Sequence, residues 1–406
     1  MTEALLGAAL FTAIVMTLVA VVLSARAWLQ PGGEVVLCVN RERNLRARRG
    51  TKLLTALNGA GIEIPSGCGG KGTCGQCRVE VASGGGPPLP TETAVLARRE
   101  LRRGVRLACQ VAIRGDLEVS VPEDVLGVRH WTCRVRSARC VGTFIKEIVL
   151  ELPEGEHIEA PAGRYVLVTA PPYRLSYRDL AVDAEVRDEW DRLDLWRLTA
   201  GNDAPTTRAY SMANHPGEKG IVMLVVRIAT PPPGAPQAPP GVVSSWLFGV
   251  RAGDEVEIAG PYGHFLVEPG ESELIFVGGG AGMAPMRAHV FDQLERKRTA
   301  RPVSFWYGAR SRRELFYEQD FDRLAAAHEN FCWTAALSEP RPEDHWEGET
   351  GFIHEVLLRR HLAAHPAPED CDYYLCGPPL MVRAVRSLLD ELGVDPERVH
   401  ADDFGT

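Results

Sequence analysis

The feature that most constrains this chain is a set of closely spaced cysteines, Cys68, Cys74 and Cys77, in a glycine-rich run, with Cys109 further along. Four thiolates can hold an iron-sulfur cluster. The glycines of the run matter because several backbone N–H groups must turn toward sulfur in a tight loop, and this needs φ values that side chains obstruct. The C-x5-C-x2-C spacing therefore predicts a 2Fe-2S cluster loop.

Structural zinc and disulfides are the alternative uses of these cysteines. Zinc sites built from four cysteines usually have two C-x2-C pairs, and this sequence has one. Disulfides are disfavoured in a segment that faces a reducing cytoplasm. The cysteines without partners by spacing are predicted to be small buried hydrophobes: Cys38, Cys133, Cys140, Cys332 and Cys371.

Length and charge restrict the organisation and the partners of the chain. At roughly 150 residues per domain, a length of 406 residues predicts two to three domains. Apolar residues make up 45% and charged residues 24%, so the chain is neither disordered nor a multi-span membrane protein. The net charge of −8 argues against a nucleic-acid partner, which would need a basic surface.

The N-terminus carries an uncharged and mostly apolar run from Ala4 to Ala25. About 20 helical residues cross a hydrocarbon core of ~30 Å, so residues 1–30 are predicted to form one transmembrane anchor. The alternatives are a cleaved signal peptide, with a small-residue site at Ala25-Arg26-Ala27, and a buried core helix. Basic residues dominate after the run, which predicts that the soluble part faces the cytoplasm.

Three soluble blocks follow the predicted anchor, with bounds at 31–127, 128–270 and 271–406. In the first, strands at Val35–Val39 and Val79–Val81 bracket a helix at Thr51–Ala60. The second alternates β-branched runs with Pro/Gly turns, which predicts an antiparallel β-barrel. The third alternates apolar strands with helices, including Met286–Arg298 and Met381–Leu392, which predicts a parallel α/β sheet.

A charge-dense insertion at residues 173–206 interrupts the strand pattern of the second block. Segments of this composition are usually solvated surface excursions. A docking surface is the functional alternative.

Arg208, Tyr210 and Ser211 lie in one strand-like segment of the second block and could hold a flavin. Arginine would pair with the pyrophosphate, tyrosine would pack on the ring, and serine would bond a ring edge. The pattern is short, and taken alone it fits an ordinary barrel strand better than a flavin site.

Two glycine turns in the third block indicate a nucleotide site. Gly278-Gly279-Gly280-Ala281-Gly282 follows an apolar strand and precedes a helix that has Pro285 in its first turn. Such a turn brings the backbone close to a pyrophosphate at a helix N-terminus. Cys376-Gly377-Pro378 repeats the order of strand, glycine turn and helix. Two such turns at the carboxyl ends of strands form a nucleotide crevice.

These motifs, in this order, mark resemblances that together cover the chain. The cysteine loop resembles ferredoxin domains of the C-x5-C-x2-C type, and residues 130–406 resemble the ferredoxin-NADP reductase superfamily. With the anchor included, the whole chain resembles the family of F subunits of the bacterial sodium-translocating NADH:quinone oxidoreductases. Further matching motifs are Arg227–Pro233, Phe305–Arg310 and Asp402-Asp403-Phe404-Gly405.

The resemblance implies a fold, cofactors and site residues. The fold is an N-terminal transmembrane helix, a β-grasp-like 2Fe-2S ferredoxin domain, an antiparallel β-barrel FAD domain and a parallel-sheet α/β NADH domain. Cluster ligands would be Cys68, Cys74, Cys77 and Cys109. FAD would be held by Arg208, Tyr210, Ser211, Ser244 and Ser245. NADH would lie over Gly278, Gly279, Gly280, Ala281 and Gly282, with Pro285, Gly377 and Pro378 in the same turns. Cys376 would lie beside the nicotinamide and Phe404 against the flavin ring.

The implied function is electron entry into a membrane complex of the bacterial inner membrane. The chain would oxidise NADH by hydride transfer to FAD and pass single electrons to the 2Fe-2S cluster and on to other membrane subunits, which would couple ubiquinone reduction to sodium transport. Two alternatives are the reductase component of a multicomponent oxygenase and a non-enzymatic ferredoxin-type electron carrier. The residues that follow the second strand of the third block, Arg310 to Arg313, also leave NADPH open as a substrate.

Overall fold

The computed structural model describes residues 2–29, 33–66, 68–96, 98–122, 125, 128–232 and 234–402. The chain divides into two compact units. The first comprises Met1–Ile64 and Cys77–Pro122, and the second comprises Pro65–Gln76 and Glu123–Thr406. The domain boundaries that we predict at residues 30, 127 and 270 stay predictions.

The first unit contains a small mixed sheet. Its strands are β1 (Glu34–Val39), β2 (Arg43–Arg48), β3 (Arg78–Ser83), β4 (Val105–Leu107) and β5 (Leu117–Ser120), and its helices are α1 (Thr2–Leu29), α2 (Leu53–Gly59), α3 (Pro90–Thr93) and α4 (Arg98–Arg102). The sheet order is β2-β1-β5-β3-β4, with β1 and β5 parallel and the other pairs antiparallel. The predicted strands around a central helix are confirmed, and Leu53 and Leu57 of α2 are fully buried.

The predicted transmembrane anchor corresponds to α1. Side chains are described in this helix for Gly7, for residues 10–21 and for Ser24. Among the described residues, we find no helix with both the length and the apolar character required for crossing a membrane. The prediction of a membrane-spanning helix is therefore not confirmed.

A buried ion pair connects β4 with α3 in the first unit. Arg106 and Glu92 are 2.7 Å apart, with 6% and 0% of their side chains exposed. The same guanidinium donates to the carbonyl oxygens of Gly85, Gly86 and Pro87, and the carboxylate accepts the backbone N–H of Leu107. Because every group in this set is paired, one arginine fixes the whole 85–92 turn.

The second unit begins with an antiparallel sheet of six strands in the order β11-β8-β13-β6-β7-β12. An antiparallel bridge between Met212 and Leu224 joins the two edges, so the sheet closes as the predicted barrel. The strands are β6 (Arg129–Gly142), β7 (Ile145–Glu151), β8 (Tyr165–Ala170), β11 (Thr206–Ser211), β12 (Ile221–Arg227) and β13 (Glu255–Tyr262), and α6 (Val242–Gly249) precedes β13.

The 173–206 insertion is a folded part of the barrel domain. It contains the antiparallel pair β9 (Tyr173–Ser176) and β10 (Thr199–Asn202), with α5 (Arg187–Arg192) between them. Tyr177 and Trp190 are both 0% exposed and belong to the barrel core. Charge density concealed these core residues, so the interpretation as a solvated excursion is wrong for this segment.

The remainder of the second unit is a parallel sheet of six strands, as predicted, in the order β17-β16-β15-β14-β18-β19. Successive strands run outward from β14 on one side, and the chain then returns to place β18 on the other side. Because the strand order reverses between β14 and β18, the carboxyl ends of these two strands border the crevice in which such sheets bind ligands.

The elements of this sheet have the following bounds. The strands are β14 (Leu274–Gly279), β15 (Val303–Ala309), β16 (Phe331–Leu337), β17 (Glu349–Thr350), β18 (Asp372–Cys376) and β19 (Val399–Asp402). The helices are α7 (Met283–Phe291), α8 (Glu318–Ala327), α9 (Ile353–Arg360) and α10 (Pro379–Glu391). Helix α7 begins three residues before the predicted Met286 and gives way to a π-helical turn at Asp292–Arg296.

The cysteines outside the predicted cluster set are only partly as expected. Cys133 and Cys371 are buried, as predicted, and Cys38 and Cys140 are partly exposed. Cys332, the second residue of β16, is exposed, so the prediction of burial is wrong there. Side chains alternate between the two faces of a strand, and Phe331 takes the buried face at this point.

We expect the loss of Glu92 to destabilise the first unit strongly. In Glu92→Gln the buried guanidinium loses its counter-charge, which costs about 3–5 kcal/mol, whereas Glu100→Gln removes a partner from the half-exposed pair with Arg78 and costs less than about 1 kcal/mol. Hydrogen exchange of the β4 amides measures both. Equal loss of protection in the two variants would contradict the assigned role of Arg106.

Candidate functional site

The cysteine loop at Pro65–Gln76 turns its backbone toward Cys68. Gly69, Gly70, Gly72 and Gly75 all have positive φ, between 65° and 87°, which other residues rarely adopt. Burial would raise the pKa of the Cys68 thiol, but the backbone N–H groups of Cys74, Thr73 and Gly72 lower it to about 6. A thiolate that receives several N–H donors is the state in which cysteine ligates iron, so the loop fits a 2Fe-2S cluster.

Cys77 and Cys109 lie in the first unit at the ends of paired strands. Cys77 precedes β3, and its carbonyl oxygen accepts the N–H of Ala108 at 2.8 Å. The amide of Gln110 donates to the Cys109 sulfur at 3.3 Å. Both thiols are nearly inaccessible, with 1% and 3% of each residue exposed. Cys68 and Cys74 lie in the second unit, whereas Cys77 and Cys109 lie in the first. The set of four cluster ligands therefore stays a prediction.

The same cysteine loop lies close to the strand predicted to hold a flavin. A Cβ built on Gly69 would be 3.6 Å from Nη1 of Arg208 in β11. Arg208 also donates to the carbonyl oxygen of Thr207 at 2.8 Å. Glycine at position 69 thus lets the loop backbone come close to the guanidinium.

The predicted FAD residues divide into two groups in the barrel. Arg208 and Tyr210 are half-buried on one face of β11, and Ser211 is buried on the other. Ser245 is 0% exposed, donates to the carbonyl oxygen of Gly241 at 2.6 Å and shares a hydrogen bond with Tyr177. Its hydroxyl is therefore held inside the protein, and its backbone N–H also donates to the carbonyl oxygen of Gly241, at 3.1 Å. Ser244 likewise directs its hydroxyl to Gly241, so the group that this pair can offer a phosphate is the backbone N–H of Ser244 in the first turn of α6.

Two glycine turns meet backbone to backbone at the carboxyl ends of β14 and β18. A Cβ on Gly282 would lie 2.0 Å from the carbonyl oxygen of Cys376, and a Cβ on Gly377 would lie 2.9 Å from that of Gly279. Real Cβ atoms do not approach so closely, so only glycine fits at these positions. Gly280 takes a φ of 57° at the start of the 3-10 turn that leads into α7. This cradle of bare backbone at a helix N-terminus fits the pyrophosphate of NADH.

The register of the sheet brings predicted residues from three strands into one row. Gly278 of β14 pairs with Cys376 of β18, which pairs with Asp402 of β19. The Oγ of Ser211 donates to Oδ2 of Asp402 at 2.9 Å, so the flavin strand joins this row directly. Phe404, predicted to lie against the flavin, is outside the described residues.

A cavity of about 510 Å³ opens beside the two turns. Gly280 and Pro378 line it, together with barrel residues such as Phe144 and Arg227. A Cβ on Gly280 would lie 3.8 Å from Nη1 of Arg227, which places a cation beside the glycine turn. The volume falls within the range usual for small-molecule pockets.

Comparison with known proteins decides the family. Relatives named as the F subunit of Na(+)-translocating NADH-quinone reductase include one in Neisseria meningitidis, 51% identical over 99% of this chain and 100% of that protein, and one in Methylococcus capsulatus, 52% identical over 100% of both. The chain belongs to the family of Na(+)-translocating NADH-quinone reductase F subunits. The resemblance inferred from the motifs is thus confirmed.

Family models and a solved structure describe the parts of this quinone reductase family member. Residues 39–114 match a 2Fe-2S iron-sulfur cluster binding domain, 195–266 an oxidoreductase FAD-binding domain and 276–387 an oxidoreductase NAD-binding domain. The crystal structure of an Amycolatopsis cytochrome P450 reductase, GcoB, is 27% identical with a TM-score of 0.62, covering 91% of this chain and 98% of that one.

Membership of this family separates the functional alternatives. The chain is an oxidoreductase with FAD, NAD and 2Fe-2S binding domains, so the non-enzymatic carrier is excluded. Its ferredoxin reductase-like fold is shared with the cytochrome P450 reductase GcoB. The relatives that are about 50% identical over the full length of the chain, however, are NADH-quinone reductase F subunits.

Several residues in or beside the site could not be identified from the sequence. Asp402 and Arg227 lie inside matching motifs, but nothing in their residue type marked them as site residues. Glu189, which pairs with Arg310 of the cavity wall, lies in a segment interpreted as a surface excursion. Glu189 can be identified only from the residues that surround it in the structure.

We expect Gly282→Ala to impair nucleotide binding. Its methyl group would meet the Cys376 carbonyl oxygen at 2.0 Å, so the two turns must separate. The KM for NADH in dye reduction should rise at least about tenfold with flavin content retained. Gly234→Ala is the matched control because no heavy atom lies within 4 Å of a Cβ there. An unchanged KM in Gly282→Ala would show that the turns do not form the cradle.

Proposed function

We propose that this chain takes electrons from NADH and delivers them one at a time to partner subunits of a membrane-bound, sodium-translocating quinone reductase. The observation that carries the proposal is the hydrogen bond between Ser211 and Asp402, which joins the flavin strand to the nucleotide turns. The complex, the quinone and the sodium ion are inferred from the names of the relatives. Quinone reduction and sodium transport belong to the partners in this proposal.

The chain positions NADH with backbone and charge. Gly278 to Gly282 and the N-terminus of α7 hold the pyrophosphate, and Arg227 offsets its charge from the barrel side. Pro285 permits the tight start of α7, because proline suits a first helical turn. Gly377 and Pro378 shape the opposite wall, and Cys376 at the end of β18 borders the nicotinamide.

The proposed flavin site lies on the barrel. FAD, when bound, accepts a hydride from NADH and releases electrons singly, which is the chemistry that couples this donor to a 2Fe-2S cluster. Arg208 would hold its pyrophosphate, Tyr210 would pack on the ring, and Ser211 would bond the ring edge. Ser244 and Ser245 would lie near the phosphates, with the backbone N–H of Ser244 as the available donor. We propose Phe404 as the cover of the ring.

The electron exit lies at the cysteine loop. Cys68, Cys74, Cys77 and Cys109 are the proposed cluster ligands. The closeness of Gly69 to Arg208 supports a short path from the flavin strand to the cluster loop. The backbone N–H groups that lower the pKa of Cys68 also stabilise charge on a ligating sulfur.

Helix α1 is the proposed membrane attachment, with the soluble part on the cytoplasmic side of the bacterial inner membrane. Large apolar side chains along the helix are exposed, among them Leu10 at 63%, Phe11 at 70% and Met16 at 64%. No charged residue lies between Ala4 and Ala25. An exposed apolar run of this kind favours burial in lipid or against partner helices.

Cys74→Ala tests the order of the two redox centres. We expect the electron paramagnetic resonance signal of the cluster to disappear while NADH-dependent dye reduction persists, because hydride transfer precedes the cluster. Cys332→Ala, which removes an exposed cysteine, is the matched control and should retain both. If Cys74→Ala loses dye reduction as well as the cluster signal while Cys332→Ala retains both, separate hydride and cluster sites are refuted.

Deletion of residues 1–26 tests the membrane attachment. The full chain should remain in the membrane fraction after a high-salt wash, and the deleted chain should be released with its NADH-to-dye activity intact. Release of the full chain by salt would overturn attachment through α1.

A further inference from the structure

Three arginines follow β15 at the edge where a 2′-phosphate of NADPH would lie: Arg310, Arg312 and Arg313. Arg310 lines the cavity. Arginine near this position is the residue that accommodates the 2′-phosphate in dinucleotide-binding sheets, and a guanidinium can bind phosphate through two parallel hydrogen bonds. On residue type alone, this edge would accept NADPH.

Carboxylates already pair with these arginines. Nη2 of Arg310 is 2.8 Å from Oε1 of Glu189 and 3.3 Å from Oε1 of Glu314. Nη1 of Arg313 is 2.6 Å from Oδ1 of Asp188. Asp188 and Glu189 both come from α5 in the 173–206 insertion, which belongs to the barrel domain.

Glu189 is held rigidly in this position. Only 4% of its side chain is exposed, and it also pairs with Arg192 at 2.7 Å and Arg341 at 3.0 Å. The hydrogen bond from Arg192 is the main reason that the pKa of Glu189 lies below its usual range, so the carboxylate is ionised. The next residue, Trp190, is fully buried and donates to the carbonyl oxygen of Thr143 at 2.8 Å.

Building on the proposed NADH oxidation, we infer that Glu189 is a specificity-determining residue that excludes NADPH by holding Arg310. A 2′-phosphate, with about two negative charges, would have to displace the Glu189 carboxylate from Arg310. It would also enter a cavity wall that already contains Glu314 and Glu339. NADH has a 2′-hydroxyl instead and needs neither displacement nor an arginine.

The 173–206 insertion acquires a function through Glu189. Its aromatic residues anchor it in the barrel core, and its two acidic residues reach arginines of the nucleotide sheet. The insertion therefore both joins the two parts of the second unit and sets the charge on the Arg310 side of the cavity.

The test compares kcat/KM for NADH and NADPH in dye reduction by the purified full chain in detergent. Glu189→Gln should keep its flavin and its kcat with NADH, while its NADPH-to-NADH ratio of kcat/KM rises about tenfold or more, mainly through a lower KM for NADPH. Adding Arg310→Ala to Glu189→Gln should abolish this gain. Glu185→Gln, an exposed acid of the same insertion, is the matched control and should keep the wild-type ratio.

The outcomes separate this inference from the proposed function. The role of Glu189 is overturned, and the proposed function is not, if Glu189→Gln oxidises NADH normally and keeps the wild-type NADPH-to-NADH ratio of kcat/KM. The same conclusion holds if the rise in this ratio persists when Arg310→Ala is added. Failure of wild-type protein and Glu185→Gln to oxidise NADH would overturn the proposed function. If Glu189→Gln loses its flavin, the ratio is measured after reconstitution with added FAD, and an unchanged ratio in the reconstituted variant contradicts the inference.

Discussion

The close approach of two backbone turns at the carboxyl ends of β14 and β18 is the constraint on which the site depends. Gly282 and Gly377 have no room for a side chain, because backbone atoms of the opposite turn occupy that space. This contact fixes the position of Cys376 and, through the sheet register, of Asp402. Asp402 in turn binds Ser211 of the barrel, so the nucleotide turns and the flavin strand are positioned together.

Charge pairing makes a second connection between the barrel and the parallel sheet. Glu189 contributes a buried carboxylate to three arginines, two of which belong to the parallel-sheet part. A buried carboxylate without partners would be costly, so such a network holds its members in one arrangement. The insertion that carries Glu189 is therefore part of the site as well as of the core.

Motifs with strict backbone requirements could be predicted from the sequence. The cysteine loop and the two glycine turns are recognisable because few residue types permit their φ values, and the structure places glycines with positive φ in both. The alternation of strands and helices also predicted the parallel sheet correctly. Helix α7 starts earlier than expected because Pro285 lies inside its first turn.

Features that depend on tertiary neighbours could not be predicted. Trp190 is buried in a segment whose charged residues suggested a solvent-exposed surface, and Ser245 directs its hydroxyl to Gly241 and Tyr177 inside the protein. Cys332 follows a buried phenylalanine and yet is exposed. In each case the exposure or the hydrogen bonds of the residue depend on partners distant in sequence or on the face of the strand. Local composition reveals neither.

The central claim is that one chain joins a hydride-accepting site to a one-electron exit. An anaerobic titration of the purified protein with NADH, followed by flavin absorbance and by the paramagnetic signal of the cluster, measures this most directly. The account predicts that NADH bleaches the flavin and that the signal of the reduced 2Fe-2S cluster then appears in the same molecules. Complete bleaching of the flavin without any cluster signal would contradict it.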